Sequence, residues 1–288
     1  MLEYIRQFLN GIQRTWQRLS LSARVNIALS LAATIAVIAV LVVRTLVEGD
    51  AGGVLSGKTF SGVRRYGKFL LLDLDEMLTL AINPMLAGRL RYGPPLKRDR
   101  SRDVLVLSLA DGNELRYHDA KDMGRLYLTR DLKQVPDWST QGPDALDPEL
   151  TLELFQQRLR RHQGEVKRVL TKQAFVAGIG NAYADEICWW AGIYPFRRRP
   201  SLSQAEIERL YEGMRSVLQS AIATLRMRII DAAPDLPALD EEIRDFLSVH
   251  GKPGQPCPRC GATISEVMWE RRATHFCRTC QPGLLIRN

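Results

Sequence analysis

The chain has 288 residues, of which 45% are hydrophobic and 25% charged, values ordinary for a globular protein. They exclude a wholly disordered chain, a collagen and a multi-span membrane protein. Against 32 Asp and Glu stand 40 Lys and Arg, a net charge of +8, which favours a polyanionic partner: nucleic acid or an anionic membrane face.

Residues 1–24 set Arg6, Arg14, Arg18 and Arg24 among apolar residues such as Ile5, Leu9 and Trp16. That spacing predicts a basic amphipathic helix. Residues 25–43 then carry no charge over 19 positions. As a helix they span about 28 Å, roughly a bilayer core, so a transmembrane helix is the direct expectation and a buried helix the alternative. The preceding arginines favour a cytoplasmic N-terminus, which would put the rest of the chain outside.

From about residue 55 to 135 the pattern changes to short β segments, at 68–74, Asp103–Leu109 and 114–117, separated by turn residues such as Asp111-Gly112-Asn113. They predict an antiparallel sheet structure, a sandwich or a barrel. Residues 136–148 form a loop with three prolines and Gly142. Helices are expected at 148–161, 182–191 and 203–228, the last opened by a Ser203/Glu206 capping box. A Pro-containing linker at 232–239 leads to the cysteine-rich end.

Four of the five cysteines form a C-x2-C-x16-C-x2-C pattern, Cys257, Cys260, Cys277 and Cys280. Two close thiol pairs complete a tetrahedral shell around one structural Zn2+ and leave no open position for catalysis. This usage also implies a reducing compartment. The intervening residues are long enough for a β-hairpin, with Arg271 and Arg272 near its tip as a cationic finger. His275 is either a further metal candidate or a hairpin face residue. Cys188, in the apolar run Ile187-Cys188-Trp189-Trp190, is expected to be a buried structural thiol. Gly178-Ile179-Gly180-Asn181 precedes a helix at once; such a turn suits a phosphate at the helix N-terminus, and a simple helix cap fits the same residues.

This glycine–asparagine turn, followed by a zinc hairpin with Arg272-Ala273-Thr274 before its third cysteine, resembles formamidopyrimidine-DNA glycosylase and its endonuclease VIII relatives. The resemblance runs from about residue 44 to the end. It implies an α+β fold: an N-terminal antiparallel β-sandwich (45–148), a helix–two-turn–helix DNA-binding domain (149–235) and a C-terminal zinc-finger β-hairpin domain (236–288), preceded by the non-family helical segment 1–44. It implies a monomeric, cytoplasmic, nucleoid-associated base-excision repair enzyme. That enzyme is a DNA glycosylase and AP lyase acting on oxidised bases in damaged double-stranded DNA. Membrane contact would come only through residues 25–43, and residues 1–43 are similar instead to the membrane-entry segment of a flagellar M-ring protein.

Carried over residue by residue, Lys68 matches a lysine that touches phosphate near the lesion and assists elimination. Asn181 matches the phosphate-binding asparagine, and Lys167 a DNA-binding basic residue ahead of that module. Arg272 matches the finger arginine that grips phosphates flanking the flipped nucleotide and takes part in elimination. Leu86 and Met123 take the places of lesion-wedge residues, with Lys121 beside them on the DNA. The chain departs from the family at its start. The family nucleophile is a proline at residue two followed by glutamate, whereas here Leu2 and Glu3 follow Met1. A substitute amine would be that of Met1 or Lys68. The alternative is a catalytically inactive, zinc-dependent DNA-binding module. A membrane-anchored protein meeting anionic headgroups needs neither the glycine–asparagine turn nor the zinc finger.

Overall fold

The computed structural model describes residues 37–39, 51–99, 102–232, 243–269 and 271–283. They belong to two compact units, one of residues 1–64 and 70–132, the other of residues 65–69 and 133–288.

The first unit holds two four-stranded sheets. One has the order β1 (Val37–Ala39), β6 (Asp103–Leu109), β7 (Glu114–Asp119), β5 (Gly88–Gly93). The other runs β2 (Phe60–Tyr66), β3 (Phe69–Leu74), β4 (Thr79–Asn83), β8 (Arg125–Thr129). A short helix, α1 (Ala51–Leu55), precedes β2. Side chains alternate across a strand, so Leu105, Leu107 and Leu109 of β6 point one way, into a core shared with Leu72, Leu80, Ile82 and Leu126 of the other sheet. One apolar cluster between two sheets is the layered arrangement that the β segments predict.

The apolar run at 25–43 needs correction as a transmembrane helix. Residues 37–39 within it are a strand, with Val37 opposite Leu109 and Ala39 opposite Leu107. The remaining residues of the run, and residues 1–24, lie outside the described residues. No helix among the described residues is long and apolar enough to cross a membrane. The physical reason is general: a continuous apolar run suits a buried strand as well as a helix, and periodicity alone does not separate them.

The second unit is helical and ends in a hairpin. Helix α2 (Leu152–Arg160) is capped by Thr151, whose hydroxyl accepts from Leu154 N–H. Next come α3 (Val166–Leu170) and α4 (Asn181–Ala191), the latter ended by Gly192 at φ 69°. Ala184, Ile187, Cys188 and Ala191 stand at helical spacing and are all buried, on the face that joins Phe155, Phe175, Leu210 and Met214 in one core. Cys188 is the buried thiol expected, its pKa raised by burial. Helix α5 (Gln204–Ala232) opens with the capping box: Ser203 N–H donates to Glu206 Oε2 at 2.7 Å, and Glu206 N–H to Ser203 Oγ at 3.3 Å. The expected linker lies, apart from Ala232, outside the described residues. Strands β9 (Ile264–Trp269) and β10 (Arg272–Cys277) pair antiparallel from Arg272↔Trp269 to Cys277↔Ile264, the hairpin that the cysteine spacing predicts.

In the first unit, Tyr117 is 1% exposed, and its hydroxyl has no hydrogen-bond partner. A Cβ on Gly124 would stand 1.8 Å from that oxygen, and one on Gly88 2.1 Å from it. Gly124→Ala should therefore cost about 1–3 kcal/mol by overpacking, seen as a lower Tm. Adding Tyr117→Phe, which removes the obstructing oxygen, should recover part of that loss. An unchanged Tm in the single variant would show that the contact relaxes freely.

Candidate nucleic-acid interface

At the hairpin base the four sulfurs of Cys257, Cys260, Cys277 and Cys280 lie within 4.8 Å of one another. A tetrahedral zinc with Zn–S bonds of about 2.3 Å needs sulfurs about 3.8 Å apart; here Cys257–Cys280 is 3.9 Å and Cys260–Cys277 3.5 Å. Burial disfavours the Cys257 thiolate. The Trp189 indole N–H and nearby backbone N–H groups outweigh it and bring the pKa to about 6. Cys280 is pushed up to about 12 by burial and by the neighbouring sulfurs. Four thiolates this close need a cation, so the donor set fits one structural zinc. His275 is not part of this cluster: its ring meets Asp185 and Glu266.

A second group of residues gathers around the N-terminus of α4. Gly178 adopts φ 105°, a left-handed conformation suited to glycine. Gly180 then caps α4 with no side-chain hydrogen bond, so no capping side chain covers the positive end of the helix dipole. Asn181 is the first helical residue rather than the cap, and its Nδ2 donates to Ala273 O at 3.0 Å. A Cβ on Gly180 would sit 3.8 Å from Lys68 Nζ, so the ammonium stands against the start of α4. The Lys68 side chain reaches solvent, yet crowding by protein, and then the Arg272 charge, lower its pKa. The turn that carries Lys68 is fixed from behind. Asp144 takes the Arg65 guanidinium in a bidentate pair at 2.5 and 2.7 Å, and the Gly67 N–H at 2.7 Å. Tyr66 donates to Gly142 O at 2.9 Å.

The acidic pair Asp185-Glu186 on α4 ties down the hairpin and the loop before it. Glu186 accepts the N–H groups of Ser248, Val249 and His250, each at 2.8 Å. Asp185 is 0% exposed and meets Lys167, His250 and His275. Burial alone would raise its pKa, but hydrogen bonds from both histidines and the Lys167 charge outweigh burial and hold it below the usual carboxylate range. Lys167, Arg168, Asn181, Arg272 and Thr274 line one pocket here.

Comparison with known proteins agrees with this geometry. The profile of the formamidopyrimidine-DNA glycosylase N-terminal domain matches residues 25–126, that of its H2TH domain residues 141–231, and a zinc finger found in FPG and IleRS residues 254–283. The formamidopyrimidine-DNA glycosylase of Symbiobacterium thermophilum is 37% identical over 230 residues, covering 79% of this chain and 75% of that protein. This chain belongs to the formamidopyrimidine-DNA glycosylase family. The Herpetosiphon aurantiacus glycosylase is 36% identical over 221 residues, 76% of this chain and 80% of its own. Among solved structures, Lactococcus lactis Fpg in complex with Fapy-dG-containing DNA superposes with a TM-score of 0.77 at 26% identity, over 90% of this chain and 97% of that one. MutM (Fpg) of Thermus thermophilus gives 0.74 at 29% identity, over 88% and 94%. The family match begins inside the apolar run, at residue 25, in accord with β1.

The remaining residues singled out by the glycosylase resemblance fall as follows. Leu86 is 69% exposed, next to Met85 at φ 51°. Lys121 is exposed and Met123 half-buried, in a turn whose N–H groups at Lys121 and Gly124 are held by the Asp119 carboxylate at 3.1 and 2.6 Å. Arg272 is exposed at the start of β10. Lys167 differs from expectation. It is 8% exposed, and its ammonium is turned inward to Asp185 at 2.7 Å, Thr274 Oγ1 at 2.8 Å and Ala273 O at 3.1 Å. Sequence reasoning missed Asp144, Asp185, Glu186 and His250. One signal was available: Asp185 stands four residues after Asn181, on the same helix face, in a helix whose buried residues, it and Glu186 apart, are apolar.

The Cys257–Trp189 contact and the apolar group Val249, Ile264 and Trp189 seat the zinc ribbon on α4. Chelating the zinc should therefore free the hairpin and Arg272 with it. Filter binding before and after chelation should show duplex affinity lost and then restored by added Zn2+. Affinity that survives complete zinc removal would detach the hairpin from the interface.

Proposed function

We propose that this glycosylase excises oxidised bases from double-stranded DNA and cleaves the strand at the resulting abasic site. One observation carries this reading: a single frame brings together the Lys68 ammonium, the Gly180-capped start of α4, Asn181 and Arg272. Burial, and then the Arg272 charge, lower the Lys68 pKa, and a phosphate between Lys68 and Arg272 relieves their repulsion. In this reading Lys68, Asn181 and Arg272 grip phosphates flanking a flipped nucleotide, whose unstacking costs a few kcal/mol. Leu86 and Met123 fill the gap as apolar wedges, with Lys121 on the backbone beside them. Lys167 supports the grip from inside. The catalytic-type β domain extends to about residue 148 and the helical domain to about 235.

Cutting also needs an amine. Lys68 offers one whose lowered pKa leaves more of it neutral than an ordinary lysine. Its Nζ would attack the sugar C1′ as the base departs with the bonding pair, and the C1′–O4′ bond would then open with a proton passing from the nitrogen to O4′; alternatively it would condense with the aldehyde of an abasic site and lose water. The product is an iminium that borohydride reduces to a stable adduct.

Borohydride trapping on an abasic duplex, with peptide mapping, tests this. The expected adduct maps to the Lys68 peptide and disappears in Lys68→Arg. Its yield should rise with pH and level off below the pKa of about 10.4 of a free lysine. An adduct at Met1 would move the nucleophile there. A second reading, a binding module without cutting chemistry, is favoured by one observation, Leu2 where the family has proline. No adduct alongside retained duplex binding would establish it. In either case Asn181→Ala should weaken binding evenly across sequences.

A further inference from the structure

Apart from Lys167, Asp185 touches none of the residues matched to DNA contacts, yet it sits at the centre of a buried polar network in the second unit. Its carboxylate is fully buried. Oδ1 lies 2.7 Å from Lys167 Nζ. Oδ2 lies 2.8 Å from His250 Nδ1 and accepts the His275 N–H at 3.1 Å. The His275 ring is held on its far side by Glu266 Oε2 at 2.9 Å.

These contacts converge on three consecutive residues of β10. The carbonyl of Ala273 accepts from both Lys167 and Asn181, the Thr274 hydroxyl accepts from Lys167, and the His275 N–H donates to Asp185. Arg272 immediately precedes these three residues. Lys167 holds the strand because Asp185 neutralises it; without the carboxylate, a buried ammonium would stand against two neutral oxygens, and such a charge withdraws toward water.

We propose that Asp185 is the positioning residue for Arg272: it fixes Lys167 and the 273–275 backbone so that the guanidinium stands at the phosphate-gripping position. The proposal rests on the reading of Arg272 given above. Asp185, His250 and His275 also have donor atoms spaced within 4.8 Å like metal ligands. The Lys167 ammonium already supplies the cation there, so no second metal is expected.

The test is a double-mutant cycle on the full chain. It reads affinity for a duplex with a reduced abasic site, together with metal content. Asp185→Asn should lower affinity about tenfold with one zinc per chain retained. In an Arg272→Ala background the same change should lower it less than twofold, because its effect passes through Arg272. Thr274→Val, a near-isosteric change that removes one of the two Lys167 contacts to the strand, serves if Asp185→Asn fails to fold. It should cost about threefold in the native background and nothing in Arg272→Ala. Equal losses in both backgrounds would overturn the proposal, since a merely structural role is additive. A second metal per native chain, lost in Asp185→Asn, would overturn it in favour of a metal site. Native-like binding by Arg272→Ala alone would instead remove Arg272 from the phosphate grip, and the proposal with it.

Discussion

One peptide carbonyl, that of Ala273, joins the parts of the site that lie far apart in sequence. Lys167 Nζ and Asn181 Nδ2 both donate to it, at 3.1 and 3.0 Å. One donor comes from α3 and the other from the first turn of α4, so a strand of the zinc hairpin is bound to two helices at a single oxygen. A carbonyl oxygen has two lone pairs, and both are engaged here. Cys277 sits four residues further along the same strand, so the zinc end and the phosphate end of β10 are rigidly related. The zinc fixes the ribbon, and the carbonyl fixes the direction in which it presents Arg272.

Glycine sets the approach distances around this point. Gly67 allows its turn to close on Gln141 and Ala177, where a Cβ would stand 2.6 and 2.9 Å from their side-chain atoms. The turn is then held by acid rather than by apolar packing alone, through Asp144. The second unit thus follows one pattern twice: a carboxylate behind, a cation in front. Asp144 backs the turn that carries Lys68, and Asp185 backs the strand that carries Arg272.

Much of this was legible in the sequence because local chemistry decided it. Four cysteines in two pairs dictate a metal hairpin wherever the chain goes, and the Ser203/Glu206 box forms as written because both partners lie within one turn. The supports were not legible. Asp185 reads as an ordinary helix residue until His250, 65 residues away, is brought to it. Lys167 reads as a surface cation for the same reason: nothing local says that its ammonium turns inward. The membrane-like run failed in the other direction. Its local signal was strong, but residues 37–39 are committed to a strand by pairing with β6, a contact across some seventy positions that hydropathy does not register.

The position of Lys68 sets a limit on what it does at any one moment. An ammonium that grips phosphate must be protonated, whereas an amine that attacks C1′ must be neutral. Crowding and Arg272 push toward the neutral form; an arriving phosphate pushes back, because an anion within hydrogen-bond distance favours the charged state. Arg272 has no such conflict, since a guanidinium stays charged. Under the proposed function, the division of labour that follows would have Arg272 and the α4 N-terminus hold the flanking phosphates. Lys68 would then be the more available to act on the sugar the more fully those phosphates are neutralised by other groups. Under the proposed function, rigid placement of Arg272 would therefore govern the chemistry of Lys68 as well as the affinity for DNA.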